Sequence, residues 1–237
     1  MGISESGYLL NYLNSMTCKR LVNFLLVFSL TIGCTPREKD ATYYTSEAWR
    51  LCGKYEQNPK NSTLKKALKY VDKAVEAQEG EYTWALVDVK IVLLLAERKW
   101  EEGFSFVEKL DQSNFLYPYQ RQMYLNLFKA IEMNETDKDK RKFYIANREL
   151  INQTLNENKS NLIHQINSSS NTMGTDYSFI IHDLLINELN LRTDAEIMQL
   201  IDSMQTEFGG DLSFYSSLKT NLHKSNSITI RANKRLI

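Results

Sequence analysis

Apolar residues recur at intervals of three and four along the chain from Thr45 to about Asn156, which places them on one face of successive α-helices. Asn58-Pro59, Gly80 and the charged stretch 134–140 interrupt the pattern, as turn and loop residues do. We therefore predict a series of helices. Thr63 caps the second of them, and the others cover 82–96, 100–110, a segment starting near Pro118, and 141–155.

The segment from Tyr82 to Ala96 differs from the others because it is apolar on nearly every side. A helix of this kind is buried on every side, so we expect it at the centre of the body. Its length corresponds to about 22 Å, and Asp88 and Lys90 interrupt it, which argues against a membrane span.

A polar stretch at 167–172 predicts a linker to a smaller C-terminal helical part at 175–222. Within that part, Thr193 followed by Glu196 forms the sequence signature of a capping box. Gly209-Gly210 marks the end of the helix that begins there. The basic tail, 223–237, is expected to be loosely ordered.

The helices also show a weak repeat. Trp100-x-x-Gly103 with Val107 and Leu110 aligns with Leu64-x-x-Ala67, and less well with Phe143-x-x-Ala146. The small residues at 67, 103 and 146 are separated by 36 and 43 positions. This resembles the tetratricopeptide repeat, whose period is about 34 residues. The resemblance implies an all-α fold of stacked antiparallel hairpins over 45–163. An irregular helical bundle is the alternative with the same periodicity.

The first 34 residues do not show the helical pattern of the rest of the chain but a short apolar run between basic residues and a cysteine. Lys19 and Arg20 precede an apolar run from Leu21 to Gly33, which is 13 residues long, and Cys34 follows at once. Crossing a bilayer takes about 20 apolar residues, so this run has the length of a signal-peptide core. Met16 begins a leader of ordinary length, which indicates that residues 1–15 extend beyond the true start.

Thr31-Ile32-Gly33-Cys34 resembles the lipobox of bacterial lipoproteins, with Thr31 where the family usually has Leu. The resemblance implies that residues 1–33 are removed, that Cys34 is fatty-acylated (palmitate), and that 34–44 is a lipidated tether. Thr35, which is not Asp, implies the outer membrane of the cell envelope. Two or more acyl chains give stable attachment where one does not. The alternative is a buried N-terminal helix with an incidental cysteine.

Charge and cysteine content narrow the possible functions. The chain has 29 basic and 29 acidic residues, a balance that argues against binding nucleic acid. After cleavage and acylation, only Cys52 remains, so the mature chain has no internal disulfide. Cys52 shares a helical face with Ala48 and Leu51 and is expected to be a small buried apolar residue.

No sequence motif for catalysis or metal binding is present. His-Glu-x-x-His, Gly-x-Ser-x-Gly, phosphate-binding glycine loops and Cys-x-x-Cys are all missing. His164, His182 and His223 lack ligand spacing, and His182-Asp183 is interpreted as surface. Asp137-x-Asp139 starts like a calcium loop but lacks its glycine. We therefore expect no catalytic residue, metal or cofactor, and no enzymatic activity.

The sequence favours a membrane-anchored lipoprotein that acts as a protein-interaction or scaffolding module in the cell envelope, because stacked hairpins present an extended binding surface. An immunity lipoprotein that neutralises an antibacterial toxin is the alternative. Both hypotheses require a protein partner. The sequence identifies neither that partner nor the residues that bind it.

Overall fold

The computed structural model describes residues 40–133, 136–167, 175–210 and 212–224. These residues form ten α-helices and one short 3-10 turn, with no strand among them. The all-α fold class predicted from periodicity is confirmed, and neighbouring helices pack against one another. None of the helices in these ranges has the length and apolar character needed to cross a membrane.

The described chain divides into two compact units, with the boundary between Arg121 and Gln122. The first unit contains α1 (Ala41–Gln57), α2 (Asn61–Ala77), α3 (Trp84–Glu97), α4 (Trp100–Glu108), the 3-10 turn Gln112–Asn114 and the beginning of α5 (Pro118–Glu132). The second contains the rest of α5, α6 (Asp137–Glu157), α7 (Lys159–Asn167), α8 (Thr175–Glu188), α9 (Asp194–Phe208) and α10 (Leu212–Lys224). This division differs from the predicted domains 45–163 and 175–222, because α8 packs against α6.

Helix α1 begins at Ala41, earlier than the predicted Thr45, so residues 41–44 of the predicted tether are helical. The reason is local, since the Asp40 carboxylate accepts a hydrogen bond of 2.8 Å from the Tyr43 N–H. An acceptor in this position satisfies one of the N–H groups that a helix start leaves unpaired. The prediction that Thr63 caps α2 is wrong, because α2 begins at Asn61 and Thr63 is a buried residue within it.

In the first unit α1, α2 and α3 all pack against one another, and α4 packs against α3. Gly80 has φ +92° and donates its N–H to the Val75 carbonyl at 2.9 Å, so a left-handed turn closes α2 as its sequence position predicted. Arg121 donates to the carbonyls of Glu108 and Leu110 at 2.7 and 2.6 Å. These bonds pair carbonyl groups that the end of α4 leaves without partners.

Helix α3 is buried on nearly all sides, as its uniform apolar character predicted. Between Leu86 and Leu95, Lys90 is the one residue that is only half-buried. Its amine lies 4.4 Å from the centre of the Phe106 ring and donates to the Tyr82 hydroxyl at 2.9 Å. The Tyr82 carbonyl in turn accepts from Asn114 at 2.8 Å. A cation over an aromatic face is attracted by the ring quadrupole, so this group connects α3 to α4 and the 3-10 turn.

In the second unit α6 packs against α8, α7 against α9, and α9 against α10. The loop predicted at 134–140 is shorter than expected, because α6 already begins at Asp137. The predicted capping box is confirmed, since Thr193 and Glu196 each bond to the other's backbone. The Gly209-Gly210 turn also ends α9 as predicted, with φ of +68° and +98°, and a Cβ at Gly210 would overlap Ile166.

The apolar period of α6 predicts that Phe143, Ala146, Leu150 and Ile151 face inward, and of these only Ile151 is fully buried. Phe143, Ala146 and Leu150 are only half-buried, whereas a neighbouring stripe is fully buried; it consists of Tyr144, Asn147, Ile151 and Leu155. The Asn147 amide in this stripe has hydrogen-bond partners, described below, so a polar residue can occupy the core. Of the small residues aligned in the suggested repeat, Ala67 and Gly103 are buried and Ala146 is not. The repeat itself stays a prediction.

Candidate functional site

The sequence predicted one functional residue, the lipidation site Cys34, and it lies outside the described residues. Asp40 is the first residue described, and α1 follows it directly. The surface at the start of α1 is therefore the described surface closest in sequence to the predicted lipid attachment. The 167–172 linker and the tail beyond Lys224 fall mostly or wholly outside the described ranges as well.

Three tyrosines form a cluster at the end of the α1–α2 hairpin where α1 begins. We call Tyr43, Tyr44 and Tyr70 the tyrosine cluster. The rings of Tyr43 and Tyr44 meet edge to face with centroids 5.5 Å apart, and those of Tyr44 and Tyr70 lie 6.1 Å apart. Tyr43 is 38% exposed, and the other two are half-buried. The two helices run in opposite directions, so the first turn of α1 lies beside the last turns of α2.

Cations surround this cluster. The Lys73 amine lies 5.6 Å from the Tyr44 ring centre and 6.0 Å from that of Tyr70, over the ring faces. Arg50 donates two hydrogen bonds to Glu47, at 2.9 and 2.8 Å, and these bonds raise the pKa of Arg50, with smaller electrostatic contributions from Tyr70 and Tyr43. Arg50 and Glu47 neutralise each other, so Lys73 is the cation that lies over the rings. The exposed carboxylates of Asp40, Asp72 and Glu76 are close to the cluster in sequence.

The second unit contains a buried carboxylate held by two arginines. Glu188 is 1% exposed and accepts two hydrogen bonds from Arg148, at 2.5 and 2.9 Å, and one from Arg192 at 2.5 Å. The arginine side chains are 30% and 37% exposed, so their outer faces reach solvent. A carboxylate that accepts a forked pair from arginine is held in a fixed orientation. We interpret the group as a connection between α6 and the end of α8.

Amide side chains extend this polar region between α5 and α6. Asn126 donates to the Asn147 side-chain oxygen at 2.7 Å, and Asn147 donates to the Met123 carbonyl at 3.3 Å. Gln122 donates to Asn126 at 2.9 Å. Each bond pairs a polar atom that would otherwise be costly to remove from water.

A further amide joins α6 to α8. Asn187 donates to the Tyr144 carbonyl at 2.8 Å, in a buried position. Burial also raises the pKa of the Tyr144 hydroxyl to about 12, because the tyrosinate form would lose its hydration. This network was not predicted, since isolated asparagines within helical segments give no signal of whether they face the core or the solvent.

Of the histidines whose side chains the structure describes, His164 lies on α7 and His182 on α8. The interpretation of His182-Asp183 as surface is wrong for Asp183, which is 6% exposed, while His182 is half-buried. His164 is exposed on α7. Within the residues that the structure describes, no group of three or more His, Cys, Asp or Glu side chains suits a metal ion. Cys52 is buried, as predicted.

One further apolar side chain stands out on α6. Ile145 is 37% exposed, and its helical neighbours at three and four positions are Arg141, Lys142, Arg148 and Glu149. Because Arg148 is paired with Glu188, the border of Ile145 has two exposed cations, Arg141 and Lys142, and one carboxylate, Glu149. The Lys142 amine also lies 5.1 Å from the Phe143 ring centre. An apolar centre with a mainly basic border has the composition of a small contact surface for an acidic segment.

Comparison with known proteins gives no match: no protein-family model, no curated protein and no solved structure is significantly similar to this chain.

Proposed function

We propose that this chain is a lipoprotein anchored to the cell envelope through Cys34, and that its helical body binds a protein partner as an interaction or scaffolding module. The outer membrane is the proposed site of attachment. The proposal rests on the order of the leader and Cys34 in the sequence, and on the way consecutive helices pack in the first unit.

The packing order is the observation that carries the binding role. Helix α1 packs against α2, α2 against α3, and α1 also against α3, so each helix is in contact with its neighbours in sequence. Arrays of helical hairpins pack in this way, and they leave one face of successive helices available to a partner. This arrangement supports the tetratricopeptide-like hypothesis, although the sequence repeat is weak.

The surface around Ile145 is the site at which we expect protein contact. Its side chain is among the few large apolar ones exposed in the described residues. Arg141 and Lys142 beside it favour a partner segment that combines an apolar anchor with acidic residues. Anchoring by lipid would raise the effective concentration of such a partner when both are attached to the same membrane.

Site-specific photo-crosslinking in the native envelope tests the proposal. A benzoyl-phenylalanine at position 145 is expected to give a protein adduct, whereas the same group at exposed Gln153, further along α6, should give little. In a Cys34→Ala chain, labelling by a fatty-acid probe should disappear and the adduct at position 145 should decrease.

Two results would contradict the proposal. Persistent fatty-acid labelling of the Cys34→Ala chain would remove Cys34 as the attachment site, and equal adducts at 145 and 153 would remove the α6 surface as a specific contact. The identity of the captured protein separates the two hypotheses on function, since a toxin indicates immunity and an envelope-assembly component indicates scaffolding.

A further inference from the structure

We propose that the tyrosine cluster, together with Lys73, is a lipid-binding surface that rests on the headgroup region of the membrane beside acylated Cys34. The inference depends on the proposed lipid attachment and adds to it a second, non-covalent contact. It assigns the partner of this surface as an anionic phospholipid bilayer.

The chain between Cys34 and the start of α1 is short. Seven residue steps separate Cys34 from Ala41, where α1 begins. Even a fully extended chain covers only about 3.5 Å per residue, so the first turn of α1 lies within roughly 25 Å of the acylated cysteine. Tyr43 and Tyr44 belong to that first turn. They are therefore the described aromatic residues closest in sequence to Cys34.

The tyrosine side chains of the cluster have the chemistry of a membrane interface. A tyrosine ring has an apolar body and a polar hydroxyl, and such residues are enriched where hydrocarbon meets headgroups. Tyr43 is 38% exposed although it is large and aromatic, and it continues into the half-buried rings of Tyr44 and Tyr70. The three rings thus offer a contiguous aromatic surface, which a single exposed side chain would not.

Exposed lysines lie beside the tyrosine cluster. Lys73 lies over two of the rings and is exposed, so its ammonium group is placed at the same level as the aromatic surface. Lys66 and Lys69 are also exposed on α2, as are the carboxylates of Asp72 and Glu76, so the attraction to a bilayer depends on the ammonium of Lys73 that lies over the rings and not on the total charge of the helix. Basic residues close to a bilayer are attracted by anionic headgroups. This combination of rings and cations favours a lipid surface as the occupant.

The test uses the full lipidated chain reconstituted in vesicles that contain phosphatidylglycerol, with phosphatidylcholine vesicles for comparison. A benzoyl-phenylalanine at position 43 is expected to give lipid adducts at least fivefold above the same group at exposed Ser62, which lies at the opposite end of the hairpin. The mass of the acylated N-terminal peptide is measured in the same samples.

Charge variants sharpen the test. Lys73→Glu should reduce the adduct at position 43 in phosphatidylglycerol vesicles by about threefold or more, because an attraction is replaced by a repulsion. Lys73→Arg should retain it. Lys65→Glu makes the same charge change at the start of α2 and should have little effect. Lys73 and Lys65 are both exposed, so thermal unfolding serves as the folding control, with only a slight shift expected for Lys73→Glu from the loss of the contact with the two rings.

The outcomes separate this inference from the proposed function. An unacylated Cys34 overturns the lipid attachment and this inference with it. An acylated Cys34 with equal adducts at 43 and 62 overturns this inference alone. A protein adduct at position 43 in native membranes, in place of lipid, would also overturn it by assigning the surface to a protein partner.

Discussion

Helix α3 of the first unit and the described side chains of α8 in the second unit are largely buried, and the two helices differ in what they bury. Nine side chains of α3 are buried, and all but Asp88 are apolar. Helix α8 buries Phe179, Ile180 and Ile181 among its apolar residues, but also three polar ones at Asp183, Asn187 and Glu188. The first core therefore depends mainly on apolar packing, and the second depends in addition on matched polar partners.

The difference bears on how precisely each helix is positioned. Apolar contacts are not directional, so an apolar helix is positioned by the shapes of its neighbours. A buried carboxylate or amide needs a hydrogen-bond partner at one particular position. If one helix shifts along the other, the bond breaks and a polar group is left buried without a partner, which costs free energy. We expect the bonds from Glu188 to Arg148 and from Asn187 to Tyr144 to fix the register of α8 against α6.

The largest effect is expected in the apolar core. Leu93 of α3 is fully buried, so Leu93→Ala should lower the free energy of unfolding by about 3–5 kcal/mol through lost burial and the cavity left behind. Chemical denaturation at low and high salt should give the same loss, because no charge is involved. A loss below about 1 kcal/mol would contradict the description of α3 as a packed central helix.

A somewhat smaller effect is expected at the buried carboxylate. Arg148→Ala should cost about 2–3 kcal/mol, since Glu188 keeps Arg192 but loses a forked pair of bonds. Arg148→Lys should recover little, because an ammonium group does not reproduce the fork. The matched control is Arg50→Ala, which breaks an exposed forked pair with Glu47 and should cost about 0.5 kcal/mol or less. Equal costs at the two sites would contradict the comparison.

The smallest effect appears at alkaline pH. The Tyr144 hydroxyl has its pKa raised from 10.0 to about 12 by burial, so the folded state holds this proton more tightly than the unfolded state. The stabilisation is complete below pH 10 and is lost as the pH rises towards 12, by about 2 kcal/mol. Unfolding free energies measured across this range should show the decline, and Tyr144→Phe should make it shallower. If the decline is unchanged in Tyr144→Phe, the ionisation of another group causes the loss of stability. Tyr215 is then the next residue to substitute, because burial also raises its pKa to about 12.

Local patterns in the sequence determined the helical class and several helix ends. The period of the apolar residues, the capping box at Thr193 and the glycines at 80 and 209–210 act over only a few residues, so they could be interpreted without knowledge of the fold. The leader and Cys34 are also local features, which is why the sequence alone predicts a lipid attachment.

Other features depended on residues that are far apart in the chain. The buried stripe of α6 includes Asn147 because Asn126 and the Met123 carbonyl meet it, and Glu188 is buried because Arg148, forty positions earlier, reaches it. The tyrosine cluster likewise exists only because the α1–α2 hairpin brings Tyr70 beside Tyr44. Partners that come together through packing leave no periodic signal, since each of these residues alone has the appearance of an ordinary surface position. The sequence therefore determined which helices form, and only the tertiary structure decided which polar and aromatic side chains they bring together.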